Sequence, residues 1–205
     1  MNRICSAYNL GLPSIQSIIE NCTELKELNF RNGVFPDSED ANYHYGIYGP
    51  GTVDCLMNNM SPNIEKLSAR KWAFSDDHIK ILVSRCTKIK ELRLACLRIS
   101  NDSVTHIIDH LKPTLEKLDL SNIGIDYQKM FALKWMPKLK SFDCLCYISE
   151  IVHQLWEQLP DVSVNGHPPI ATICMKKKVK YDEYFDNDIW SWKQKHYGQV
   201  SLILI

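Results

Sequence analysis

A six-residue apolar frame, L-x-x-L-x-L, recurs along the chain and restricts its fold more than any other feature. The copies are Leu25, Leu28, Phe30; Ile64, Leu67, Ala69; Ile89, Leu92, Leu94; Leu115, Leu118, Leu120; Leu139, Phe142, Cys144; and Leu159, Val162, Val164. Successive frames start 39, 25, 26, 24 and 20 residues apart, the spacing of one supersecondary unit used repeatedly. The last two apolar residues of each frame share one face of a short strand, while the residue between them points to the other. Between frames the period becomes helical, as in Ile79, Leu82, Val83, Cys86; Val104, Ile107, Ile108, Leu111; and Ile151, Val152, Leu155, Leu159. Ser75-Asp76-Asp77 and Ser100-Asn101-Asp102 supply side-chain oxygens where two of these helices need capping.

Each unit is therefore expected to be a strand, a turn and a helix. A single unit cannot bury both apolar surfaces, so neighbours must stack. The expected fold class is an α/β solenoid of leucine-rich-repeat type, with a curved parallel sheet on the concave face and helices on the convex face. Cys22 and Cys86 each precede a frame by three residues, where a small apolar side chain fits the bend into the strand. Pro62, Pro113 and Pro137 occupy the same junction in other copies and stop the helix there.

The repeats are expected over residues 1–165 and a non-repeating tail over 166–205. Cys5, Ala7, Leu10 and Leu12 overlay Leu118, Leu120, Ile123 and Ile125. The first repeat is thus incomplete, and the chain reads as a fragment, an alternative start, or a domain once preceded by something else. The stretch from Gly33 to Gly51 makes the first interval about 14 residues longer than the others, so a long aromatic and acidic loop is expected at 33–51.

Composition narrows the function classes. Twenty-four basic and 24 acidic side chains balance, which argues against a nucleic-acid or membrane-surface partner, since neither polyanion is drawn to a neutral chain without a segregated patch. No apolar run reaches a membrane-spanning length, and MNRICSAYNLGLP lacks a signal-peptide core. The nucleus, the cytoplasm or both are the expected compartments. Eight cysteines without a CxxC pair give no structural zinc signature. Cys144 and Cys146 share a strand face and read as packing residues, since no cationic surroundings would activate a thiol there. His106-Ile-Ile-Asp-His110 has two imidazoles one helical turn apart, but Ile107 and Ile108 are needed for the core and no third ligand is evident. No Gly-rich phosphate loop, nucleophile elbow or acid–base set is present, so we expect neither an enzyme nor a cofactor or metal.

The helix-ending cysteine, the frame and the Ser-Asp or Ser-Asn-Asp helix start together resemble the cysteine-containing leucine-rich repeats of F-box proteins. The likeness covers most of residues 5 to 195. It is sharpest from Leu92 to Asp102 and in the ending Leu159-Pro-Asp-Val-Ser-Val-Asn165, with Thr172-Ile173 and Ile189-Trp190 beyond. The resemblance implies a substrate receptor of a cullin-RING ubiquitin ligase, an SCF complex acting in the cell cycle. Its concave face and tail would hold a protein substrate, often phosphorylated, sometimes with a small accessory protein. The chain contains no F-box, so the ligase adaptor is expected as a partner only if that segment lies upstream. The alternative is a leucine-rich scaffold or adaptor with no ubiquitin link.

The residues expected on the concave face are Asn29 and Arg31, Ser68 and Arg70, Arg93 and Ala95, Asp119 and Ser121, Asp143 and Leu145, and Ser163 and Asn165. Arginines occupy the first half and carboxylates the second, and Lys66 and Lys71 add to the basic side. An arginine fork pairs well with carboxylate or phosphate, so the basic half suits an acidic or phosphorylated segment, though solvated strand charges are the plain alternative. In the tail, Lys176, Lys177, Lys178 and Lys180 precede Asp182, Glu183, Asp186 and Asp188; we read them as a solvated run rather than a nuclear-import signal. Ile189, Trp190 and Trp192 read as a cap on the last repeat or as partner anchors, with Trp190 among the binding candidates.

Overall fold

The computed structural model describes residues 5–6, 17, 21–30, 50–69, 74–95, 99–144 and 149–166. Seven parallel strands form one sheet in chain order: β1 (Cys5–Ser6), β2 (Glu27–Phe30), β3 (Lys66–Ala69), β4 (Glu91–Arg93), β5 (Lys117–Asp119), β6 (Ser141–Asp143) and β7 (Ser163–Val164). The described helices are α1 (Pro50–Asn59), α2 (Asp76–Arg85), α3 (Asn101–Leu111), α4 (Tyr127–Phe131) with a 3-10 turn over Ala132–Trp135, and α5 (Ser149–Gln158). Each strand pairs with the next in sequence, which makes the molecule a solenoid-like α/β stack of strand–helix units.

The register follows the apolar frame. Cys5 pairs with Leu28, Leu28 with Leu67, Leu67 with Leu92, Leu92 with Leu118, Leu118 with Phe142, and Phe142 with Val164. Leu28 to Val164 form a buried column, and Leu25, Ile64, Ile89, Leu115 and Leu139 form a second beside it. Helix residues such as Ile79, Leu82, Val83, Val104, Ile107, Leu111 and Leu155 close the core from one side. At about 1.5–3 kcal/mol for each large aliphatic removed from water, these columns are the main cohesive term.

The last copy corrects the sequence reading. The frame aligns Val162 with Phe142, whereas the structure pairs Val164 with Phe142. Val162 instead takes the role of the first aliphatic: its N–H donates to the Leu159 carbonyl at 3.0 Å, as that of Leu139 donates to Met136 at 3.1 Å. Two valines two residues apart satisfy one face equally, so apolar pattern alone cannot choose between them. The backbone turn makes the choice. Asn165 follows in the left-handed region (φ 50°), and its side-chain oxygen accepts the Cys144 N–H at 2.8 Å.

The junction cysteines sit at the bend. Cys22 and Cys86 carbonyls accept the N–H groups of Leu25 and Ile89, and the Cys86 thiol donates to the Ser61 carbonyl at 3.4 Å. Burial pushes the Cys86 thiol up to about 11 against the opposing charge of Arg85, so it stays protonated and packs as an apolar group.

Helix starts are tied to one another across units. Ser75, Ser100 and Asp126 cap α2, α3 and α4. The residue after the cap then reaches the next unit: Asp76 Oδ1 accepts the Ser100 N–H at 2.8 Å, and Asn101 Oδ1 accepts the Asp126 N–H at 2.9 Å. Asp76 Oδ1 also accepts the hydroxyl proton of buried Ser103. The Ser-Asp and Ser-Asn pairs thus act twice, once as cap and once as a staple between units.

Candidate functional site

In β2 to β7 the central frame residue is buried and its neighbours on the other face are half-buried or exposed. Those neighbours form the sheet face turned away from the helices. Two rows of side chains cross it. One runs Glu27, Lys66, Glu91, Lys117, Ser141 and Ser163; the other runs Asn29, Ser68, Arg93, Asp119 and Asp143.

The first row alternates in sign. Glu27 pairs with Lys66 at 3.1 Å and Glu91 with Lys117 at 3.1 Å. The residues just before it alternate in the opposite phase, with Lys26–Glu65 at 3.2 Å, Glu65–Lys90 at 2.7 Å and Glu116–Lys140 at 2.7 Å. Lys90 and Lys26 hold the Glu65 carboxyl below its ordinary range, and Lys140 does the same for Glu116. Exposed pairs are each worth at most about 1 kcal/mol, so their consequence is chiefly electrostatic: this margin of the sheet neutralises itself. Lys66, expected among the docking cations, is committed to Glu27.

The second row carries the charge that remains. Arg93 is exposed and lies in register between Ser68 and Asp119, with Asp143 one strand further on. Burial and the neighbouring Asp119 carboxylate push the Asp143 carboxyl up, against the opposing pull of Arg93 and the Gly166 N–H. Asp119 Oδ1 accepts the Ser121 N–H at 2.9 Å. At the other end of the row Asn29 Oδ1 is buried without a hydrogen-bond partner among the described residues. The row thus presents a cation next to two carboxylates.

Because the folded-state pKa of Asp143 is raised, its ionisation opposes folding. Stability should fall as pH rises from the ordinary aspartate value through the raised folded one. Asp143→Asn, which keeps an oxygen for the Gly166 N–H, is expected to raise the thermal midpoint at pH 7 and to lose that advantage at pH 3. Thermal melts of both proteins at the two pH values check this.

The structure separates the sequence candidates. Asn29, Ser68, Arg93, Asp119 and Asp143 share one row, and Ser163 stands in the adjacent row beside Ser141 because of the shift in the last copy. Ala95 and Ser121, expected on the open face, are buried where the chain turns back toward the helices. Arg31, Arg70, Lys71, Leu145, Trp190, Trp192 and the charged run from Lys176 to Asp188 lie outside the described residues, as do the 33–51 loop up to residue 49 and the tail beyond residue 166. The alternating Lys/Glu phase was missed by the sequence reading, although Lys-Glu, Glu-Lys, Lys-Glu, Glu-Lys stands plainly inside successive frames.

One further constellation has hydrolase residue types. Ser75 Oγ lies 2.8 Å from His78 Nδ1, and His78 Nε2 lies 2.9 Å from Asp54 Oδ1. The Nδ1 lone pair, however, already accepts the Ser75 N–H at 3.0 Å, which places the ring proton on Nε2, facing Asp54. This is a capping box extended to the preceding helix. On α3, His110 Nδ1 contacts the His106 carbonyl at 3.0 Å. Among the described residues no three His, Cys, Asp or Glu side chains converge as a metal site, and no helix is long and apolar enough to cross a membrane.

Comparison with known proteins adds no family: no protein-family model matches the chain, and no curated protein matches it.

Proposed function

We propose that this chain is a leucine-rich-repeat protein that binds another protein on the open face of its sheet, as a substrate receptor for ubiquitin ligation or a truncated form of one. The observation that carries the reading is the single row from Asn29 to Asp143, left uncovered by the described helices and bearing an exposed cation beside two carboxylates. Its rigid strands hold these groups at fixed spacing, which favours recognition of an extended partner segment. A phosphorylated or acidic residue suits Arg93, and a basic residue suits Asp119 and Asp143.

The ubiquitin link rests on the resemblance to F-box leucine-rich-repeat proteins, and within them to S-phase kinase-associated protein 2, in the stretches 92–102 and 159–165. A small accessory protein would be compatible with that reading, and the nucleus, the cytoplasm or both would be its place of action. The test compares pull-downs of this chain and of the same chain extended upstream by an F-box. Recovery of cullin components with the extended chain alone is expected. Recovery with neither would leave a leucine-rich scaffold without a ubiquitin role. Within a recovered complex, Arg93→Glu is expected to weaken substrate binding about tenfold or more, the cost of leaving a partner anion opposite a like charge. Unchanged affinity would remove Arg93 from the site.

A further inference from the structure

Three large apolar side chains are exposed among the described residues, and two of them, Tyr127 and Trp135, belong to one short element, α4 with its 3-10 turn. Trp135 is 61% exposed and Tyr127 41%. The Tyr127 and Phe131 rings meet edge to face at 5.9 Å, and Trp135 follows four residues later. The other described helices of the stack run 10 or 11 residues, whereas α4 ends after five and tightens into the 3-10 turn. A tryptophan that merely covered its neighbours would be buried; this one presents most of its surface to water.

The chain segment that carries it bears charge of one sign. Between Asp126 and Asp143 the chain has four lysines and no carboxylate. Lys140 pairs with Glu116, whose carboxylate Lys138 also attracts, while Lys129 and Lys134 form no ion pair among the described residues. Lys134 Nζ lies 5.3 Å from the centre of the Trp135 ring and also donates to Gln158 Oε1 at 3.3 Å. Lys129 Nζ donates to Thr105 Oγ1 at 3.4 Å. An indole stacked under an ammonium group, with Lys129 on the same element and Lys138 just beyond it, fits a carboxylate-rich ligand that also has an apolar group to lay on the indole.

We propose that this helix-side patch, separate from the open sheet face, docks an acidic segment of a partner protein that inserts an aliphatic or aromatic side chain against Trp135. Three lysines fall short of the four to eight typical of anionic-lipid recognition, and the indole gives the apolar anchor that a peptide can match. The patch stands or falls apart from Arg93 and the ubiquitin reading, since it lies on a different face and is tested by a different ligand.

The test uses the full chain labelled with 5-fluorotryptophan, with the Trp135 fluorine resonance assigned through Trp135→Phe. The probe is a synthetic peptide of glutamates and aspartates with one central leucine, beside a lysine-substituted control and phosphatidylserine vesicles. The acidic peptide is expected to shift the Trp135 resonance while that of buried Trp156 stays in place. Lys129→Glu with Lys134→Glu is expected to weaken binding about tenfold or more, with an unchanged thermal midpoint showing that the fold is intact. An unmoved Trp135 resonance at millimolar peptide, an equal response to the lysine peptide, or a response to vesicles alone would overturn the proposal. So would a Trp135 shift produced, without peptide, by neutralising Asp182, Glu183, Asp186 and Asp188, because the chain's own tail would then be the occupant.

Discussion

Replacing Phe142 with alanine is expected to destabilise the fold by about 3–5 kcal/mol, the usual cost of deleting a large buried aromatic. Phe142 is fully buried, pairs with Leu118 on one side and Val164 on the other, and is the bulkiest member of its column. In a stack each unit packs chiefly on its neighbours, so the cavity would loosen both adjoining interfaces. Phe142→Leu keeps the column's chemistry and should cost less than about 1.5 kcal/mol if its neighbours repack. Urea titration checks both: the midpoint should fall steeply for alanine and slightly for leucine, with little change in slope. A loss below about 1 kcal/mol for alanine would mean that β6 is not a central strand.

The second large effect lies at Asp76. Alanine there removes the acceptor for the Ser100 N–H and the Ser103 hydroxyl, and Ser103 is fully buried. An orphaned buried hydroxyl costs about 1–3 kcal/mol and the lost backbone contact about 0.5–2, so a total near 2–4 kcal/mol is expected. Asp76→Ala combined with Ser103→Ala should recover part of that loss, because no hydroxyl is then left without a partner. Asp76→Asn, which keeps one oxygen, should fall between wild type and alanine. Burial raises the Asp76 carboxyl, but the Ser103 and Ser100 hydrogen bonds outweigh it and leave the group below its ordinary range. A depressed folded value contributes stability above the unfolded pKa and loses it as pH falls through the folded one. The gap between wild type and Asp76→Asn should therefore narrow under acid, as denaturant midpoints at pH 7 and pH 2 would show.

What could be read from the chain was what repeats. The frames mark β2 to β6 because period-two burial and the interval between units reinforce one another, and Ser75 and Ser100 mark α2 and α3 because a cap is a local signal. Helix α1 was overlooked although Val53, Leu56, Met57 and Met60 have helical spacing and are all buried. Its Pro-Gly start looks like a breaker in the sequence, yet Pro is well suited to a helix's first turn. The α4 segment has only one turn of regular helix, too short for periodicity to stand out.

The site was legible in part for a related reason. Asn29, Ser68, Arg93, Asp119 and Asp143 occupy the same frame position, so a correct register brings them into one row. The commitment of Lys66 to Glu27 needs the register and the opposite phase of neighbouring strands at once. A residue-by-residue inventory of charges conceals that relation. Trp135 belongs to no frame, and only its exposure distinguishes it from the many tryptophans that pack.

Partner binding on the open sheet face is tested by placing a photo-crosslinking amino acid at position 93 on that face and, separately, at position 80 on α2. Crosslinking is then performed in cells with the F-box-extended chain. Position 93 is expected to capture a protein whose half-life lengthens when the extended chain is depleted, and position 80 is not. Capture from position 80 alone, or a captured protein whose turnover is indifferent to the chain, would contradict the proposed function.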